Sequence, residues 1–163
     1  MREPFTSAIA ANRFGLGARP GELAAIDGDG RDWLRAQLRA EPPALSDPQL
    51  RSSAQTLAQA LELRQEMRAA RKSDAAAAAA LQKLPQFLRP IYLNEASARF
   101  REAVSTARPL VERLTQFWTN HFTVSVDKEL LTGLAGSFER EAMRSGAARA
   151  PACAALKGRY FGV

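Results

Sequence analysis

Between Pro109 and Phe122 the chain carries an apolar ridge. Leu110, Leu114, Phe117 and Trp118 fall at i, i+4, i+7 and i+8, with Val111 and Phe122 beside them. This spacing brings the side chains onto one face of an α-helix. Pro109 suits the first turn, where its missing N–H costs little. Such a helix constrains its surroundings. Twelve large apolar side chains lie between residues 109 and 138, and each gains ~1.5–3 kcal/mol only if it is covered.

Composition points the same way. The chain has 163 residues, the size of one domain. Its hydrophobic share of 46% includes 32 alanines, whereas Val and Ile together number eight. A large sheet is excluded on that count, because strands draw on β-branched side chains. The expectation is an all-α protein, an irregular multi-helix assembly with a long helical hairpin and a loosely ordered C-terminal tail.

Along the chain, residues 5–40 read as two or three short helices, broken at Arg13–Gly21 and Asp27–Gly30. Pro20 suits a first helical turn. Asp29 is placed to cap a helix over 31–38, with Trp33, Leu34 and Leu38 near one face. Pro42-Pro43 stops regular structure. Ser46 or Asp47 is placed to cap a helical stretch over 47–83, where Leu50, Ala54, Leu57 and Leu61 share a face. Ala75–Ala80 favours helix but buries little area, and the hairpin turn is expected near Lys72-Ser73-Asp74. In the next stretch, 84–107, Leu84, Leu88, Ile91 and Tyr92 share a face, followed by Phe100, Ala103 and Val104. Pro85 and Pro90 are expected to interrupt or kink its beginning. Beyond Phe122, Thr123–Val126 reads as a short extended run. Asp127 then caps a helix that Gly133 and Gly136 weaken.

The net charge of +6 is spread unevenly. Residues 105–144 are balanced, while the last nineteen carry three bases and no acid. No run of four Lys or Arg occurs, and no basic stripe interleaves with aromatics, which argues against nucleic acid as a partner. No window reaches the ~18 apolar residues of a membrane span. The first residues hold no apolar block of signal-peptide type, so the cytoplasm is the default compartment.

Reactive constellations are scarce. One Cys and one His exclude an internal disulfide and the usual zinc-finger ligand sets. No Walker loop, HExxH, EF-hand or GxSxG pattern occurs. Gly15-Leu-Gly17-Ala-Arg-Pro-Gly21 has the spacing GxGxxxG, one residue longer than a dinucleotide loop, and no strand precedes it. It reads as a turn that needs positive φ. His121 reads as a helix-end residue, bonded to a terminal carbonyl or a neighbour. The alternative joins Asn120 and His121 to Glu139 or Glu141 in a polar or metal site, with Asp127 also available. No residue is assigned to cofactor binding or as a metal ligand, and the sequence leaves any cofactor open. Phe117-Trp118-Thr-Asn-His-Phe122 is either a specific core or the lining of a ligand groove.

Leu114-Thr-Gln-Phe-Trp-Thr-Asn-His-Phe-Thr-Val-Ser-Val-Asp-Lys128, followed by Gly136-Ser-Phe-Glu-Arg-Glu-Ala-Met-Arg144, resembles a block of a bacterial family catalogued as domain of unknown function 1800. The opening Ala11-Asn-Arg-Phe-Gly-Leu-Gly-Ala-Arg-Pro-Gly-Glu-Leu23, with Trp33-Leu-Arg-Ala-Gln-Leu38, is similar to that family's start. The resemblance spans 8–144. It implies a mainly helical protein and transfers no catalytic residue. Members are typically longer, and many are exported. In them the Phe-Glu-Arg-Glu helix runs on into further helices, whereas here an acid-free tail, 145–163, follows.

The expected organisation is therefore a family part over 1–144 and a non-family tail over 145–163, frameshifted or truncated, so that the chain is an N-terminal helical fragment. Some apolar faces would then lack their covers, giving self-association or a protein partner. The functional expectation is a helical module without assignable catalysis. Its alternative is a fragment of an exported or envelope-associated enzyme with a site near His121.

Overall fold

The computed structural model describes residues 5–26, 29–39, 45–70, 74–122 and 129–144. Among the described residues seven α-helices follow one another: α1 Phe5–Ile9, α2 Glu22–Ala25, α3 Gly30–Arg39, α4 Ser53–Ala70, α5 Asp74–Ser105, α6 Pro109–His121 and α7 Glu129–Phe138. Helices α1 and α7 widen into π-helical segments, Ala10–Phe14 and Glu139–Arg144. Among the described residues there is no strand, so the all-α expectation holds. No helix of the described residues is long and apolar enough to cross a membrane. Pro42-Pro43, Lys72-Ser73, Thr123–Val126, Asp127 and the tail from 145 lie outside the described residues.

The chain divides into two compact units. The first takes 1–44, 101–122 and 141–163; the second takes 45–100 and 123–140.

In the second unit, α4 ends at Ala70 and α5 begins at Asp74, as a helical hairpin requires. Ser52, not Ser46 or Asp47, caps α4. Its Oγ accepts from the Gln55 N–H at 3.2 Å, and the Gln55 Oε1 accepts from the Ser52 N–H at 3.1 Å. This reciprocal box satisfies two donors at the helix start. Asp47 instead closes a turn, accepting from the Gln49 N–H at 2.8 Å.

The core of this unit is Ala60, Leu84 and Leu88, with Leu63, Met67, Phe87 and Leu130 packed against it. The buried face of α4 therefore runs through Thr56, Ala60, Leu63 and Met67, whereas Leu57 and Leu61 are exposed. That corrects the face expected from the leucine spacing. Small side chains are inside because α7 comes close. A Cβ on Gly133 would lie 2.5 Å from Leu88 Cδ2 and 3.3 Å from Thr56 Cγ2, and one on Gly136 would strike Glu95 Cβ. The two glycines are thus demanded by packing, whatever they cost in helix propensity.

Helix α5 corrects the expectation of an interruption at its prolines. It runs unbroken through Pro85 and Pro90. Each proline forfeits a hydrogen bond to the carbonyl four residues back, but both prolines are exposed, so water can take over those carbonyls. The inner face of α5 is Leu84, Leu88, Ile91, Glu95 and Ala98. Tyr92 is exposed, as are Phe100 and Val104, at 70% and 75%.

In the first unit Asp29 caps α3 as expected, accepting from the Arg31 N–H at 3.0 Å. The inward position one turn past Trp33 is Gln37, and Leu38 is exposed. Gly17 and Gly21 adopt φ of 100° and 80°, the left-handed geometry that favours glycine. Pro20 precedes α2 in that turn and is not part of its first turn. Ala10, Ala11, Ile26, Val111, Ala142 and Met143 are buried.

Candidate functional site

Helix α6 positions the side chains that carried the functional expectation, and its two ends are held differently. At its start, Gln37 of α3 reaches across. The Gln37 Oε1 accepts from the Leu110 N–H at 2.9 Å, capping α6 from outside. Arg113 donates from Nη1 to the Gly15 carbonyl at 2.7 Å. Glu112 is fully buried, at 0% exposure, and receives both prongs of the Arg144 guanidinium, at 2.5 and 2.8 Å. A paired fork of this kind is the strongest geometry open to a carboxylate and an arginine. Thr115 is buried and donates to the Val111 carbonyl at 3.0 Å.

The last turn is aromatic and faces outward. Phe117 is 57% exposed, and Asn120 and His121 are exposed beside it. The Phe117 ring and the His121 imidazole are nearly parallel, 6.2 Å apart, and Trp118 and Phe122 stack in the same way at 5.9 Å. Edge-to-face contacts join the two stacks: Phe117 with Trp118 at 5.1 Å, and His121 with Phe122 at 5.0 Å. Pairs four residues apart meet on one helix face, so the sequence dictates this ladder. The ridge expected to be covered is therefore covered only in part, through Val111 and, more weakly, Leu110, Leu114, Trp118 and Phe122.

Asn120 and His121 thus share the exposed end of α6. Glu141 is exposed on the π-helical segment after α7. Glu139 is buried in the second unit, its Oε2 2.6 Å from the Arg99 guanidinium. Among the described residues no group of three or more His, Cys, Asp or Glu is placed to hold a metal. Asp127 and Cys153 lie outside the described residues.

The glycine-rich turn 15–21 borders a shallow depression of about 630 Å³ with Arg19, Ile26, Trp33 and Ala107 in its wall. Arg19 is spent there on structure, bonding the Ser105 carbonyl at 3.0 Å and Glu22 at 3.1 Å.

The sequence reading missed the ionic role of the Phe138-Glu-Arg-Glu141 segment and its continuation. Besides Glu139 with Arg99 and Arg144 with Glu112, Arg140 donates to Glu95 at 2.9 Å and to the Arg51 carbonyl at 2.5 Å. Buried acids at Glu95, Glu112 and Glu139 each meet an arginine. The family model described as Protein of unknown function (DUF1800) matches residues 9–148, a span holding the glycine turn, the aromatic ladder and the arginines that take these acids. The chain belongs to the DUF1800 family. DUF1800 names no reaction, and neither curated proteins nor solved structures give a match. What the family assignment adds is that the two matching sequence blocks fall within one family model.

Proposed function

We propose that this DUF1800 chain acts as a non-catalytic helical interaction module and that the outward turn of α6 is its contact element for a protein partner. The observation that carries this reading is the exposed stripe Arg113–Phe117–His121, which puts a large aromatic ring at 57% exposure where a helix facing water ordinarily places polar groups. Aromatic anchors backed by arginine supply much of the affinity at protein interfaces. The fit is to an apolar segment that also carries acids. Arg113 lies on the stripe, and the acid of α6, Glu112, is buried and held by Arg144. Stacking within the ladder fixes the rings before contact, which lowers the ordering cost of association.

A photo-crosslinking residue at position 117, in the full chain in its native host, tests this. The expected result is a discrete crosslinked protein that is missing when the same residue sits at exposed position 35. Identical patterns at the two positions, or no adduct at 117, overturn the reading. Sedimentation of the purified chain shows whether a second copy is the partner.

A further inference from the structure

We propose that the outward face of α5 docks on an anionic lipid bilayer, with the helix lying in the plane of the membrane surface. This contact is separate from the aromatic ladder of α6. Helix α5 is apolar on two opposite sides. Its inner side buries Leu84, Leu88, Ile91 and Ala98. Leu93, Phe100 and Val104, at i, i+7 and i+11, share the opposite side by helical periodicity. They are 50%, 70% and 75% exposed. A helix that is apolar all round is ordinarily covered all round, so this outer ridge calls for a cover. From Arg89 to Val104 it runs about 22 Å along the helix axis.

Charge identifies the occupant. Between Gln82 and Ser105 the acids of α5 are Glu95 and Glu102. Glu95 is buried and takes Arg140, and Glu102 is half-buried one heptad further along the same inner side. The exposed half carries Arg89 in line with the ridge and Arg101 beside it. A second copy would set these arginines against their like, with no acid of this face to offset them. An apolar ridge flanked by bases instead matches a negatively charged membrane surface. Arginine reaches lipid phosphate at the end of an apolar stem, and the ring of Tyr92, exposed next to Leu93, suits the headgroup level. Shape agrees with charge. Side chains as exposed as Phe100 and Val104 form a ridge and not a groove, and a soft interface accepts a ridge along its length. The contact lies on the membrane, since no helix of the described residues is long and apolar enough to cross one.

Flotation of the full chain with vesicles of mixed phosphatidylglycerol and phosphatidylcholine, and with vesicles of phosphatidylcholine alone, tests this. Binding to the mixed vesicles is expected, weakened by added salt, with little binding to phosphatidylcholine. The double variant Phe100→Ser, Val104→Ser should lose at least about tenfold in vesicle affinity, because each side chain gives up its transfer from water. Arg89→Gln should weaken binding to the mixed vesicles alone. Leu61→Ser, which removes an equally accessible leucine from α4, should leave binding unchanged and so separates the α5 ridge from general stickiness of a basic chain. All these positions are exposed, and unaltered melting temperatures will show that the variants fold. Failure of the wild type to float, equal binding to both kinds of vesicle, or undiminished binding of the folded double variant overturns the proposal. So does a dimer or a complex with an acidic protein that the double variant loses while its vesicle binding stays intact.

Discussion

The two ends of α6 invert the usual rule. Its first half buries a glutamate and a threonine, while its last turn exposes a phenylalanine and an imidazole. Burial there is organised by polar partners. Gln37 caps, Arg144 grips Glu112, and Gly15 accepts from Arg113. The helix is held by its polar end, so its aromatic end is not needed to hold it. The general lesson is that a strong apolar periodicity marks a helix, but not always the side that the fold covers.

The contrast breaks most severely at Glu112. Glu112→Ala leaves a charged guanidinium buried without its carboxylate, a loss of ~3–5 kcal/mol, read as a fall in the denaturant midpoint. Replacing both partners by hydrophobic residues of similar volume should recover most of that loss. Gly15→Ala comes next. Its Cβ would lie 2.5 Å from the Ala11 carbonyl oxygen and 3.3 Å from Pro109 Cβ, an overpacking cost of ~1–3 kcal/mol that thermal unfolding will show. Arg113→Ala removes the bond to the Gly15 carbonyl at an expected ~0.5–1.5 kcal/mol. Phe117→Ala should change stability least, by less than about 0.5 kcal/mol, while removing association with the proposed protein partner. A large destabilisation by Phe117→Ala would erase the distinction between the ends.

Much of this architecture was legible beforehand. Scarce Val and Ile excluded a large sheet, Pro109 marked the start of α6, and Asp29 marked that of α3. Asn120 and His121 were correctly placed on one helix, and no spacing could say where Glu139 or Glu141 would lie. Other elements were hidden for identifiable reasons. The box Ser52-x-x-Gln55 is a local signal that competes with the cap candidates Ser46 and Asp47 a few residues earlier. The buried face of α4 departs from its leucine spacing because close approach of α7 puts alanine and threonine inside. The ionic grip was beyond local reading. Glu112 and Arg144 are 32 residues apart, and Glu95 and Arg140 are 45 apart, distances over which side-chain charges leave no periodic trace.

That the first unit draws on three separated stretches of chain has a consequence for biosynthesis. Its opening helices leave the ribosome long before Arg144 does, and until then Glu112 has no guanidinium to meet. The nascent polypeptide must therefore carry an unfinished front half, exposed to chaperones and proteases, until translation reaches the arginine that closes it.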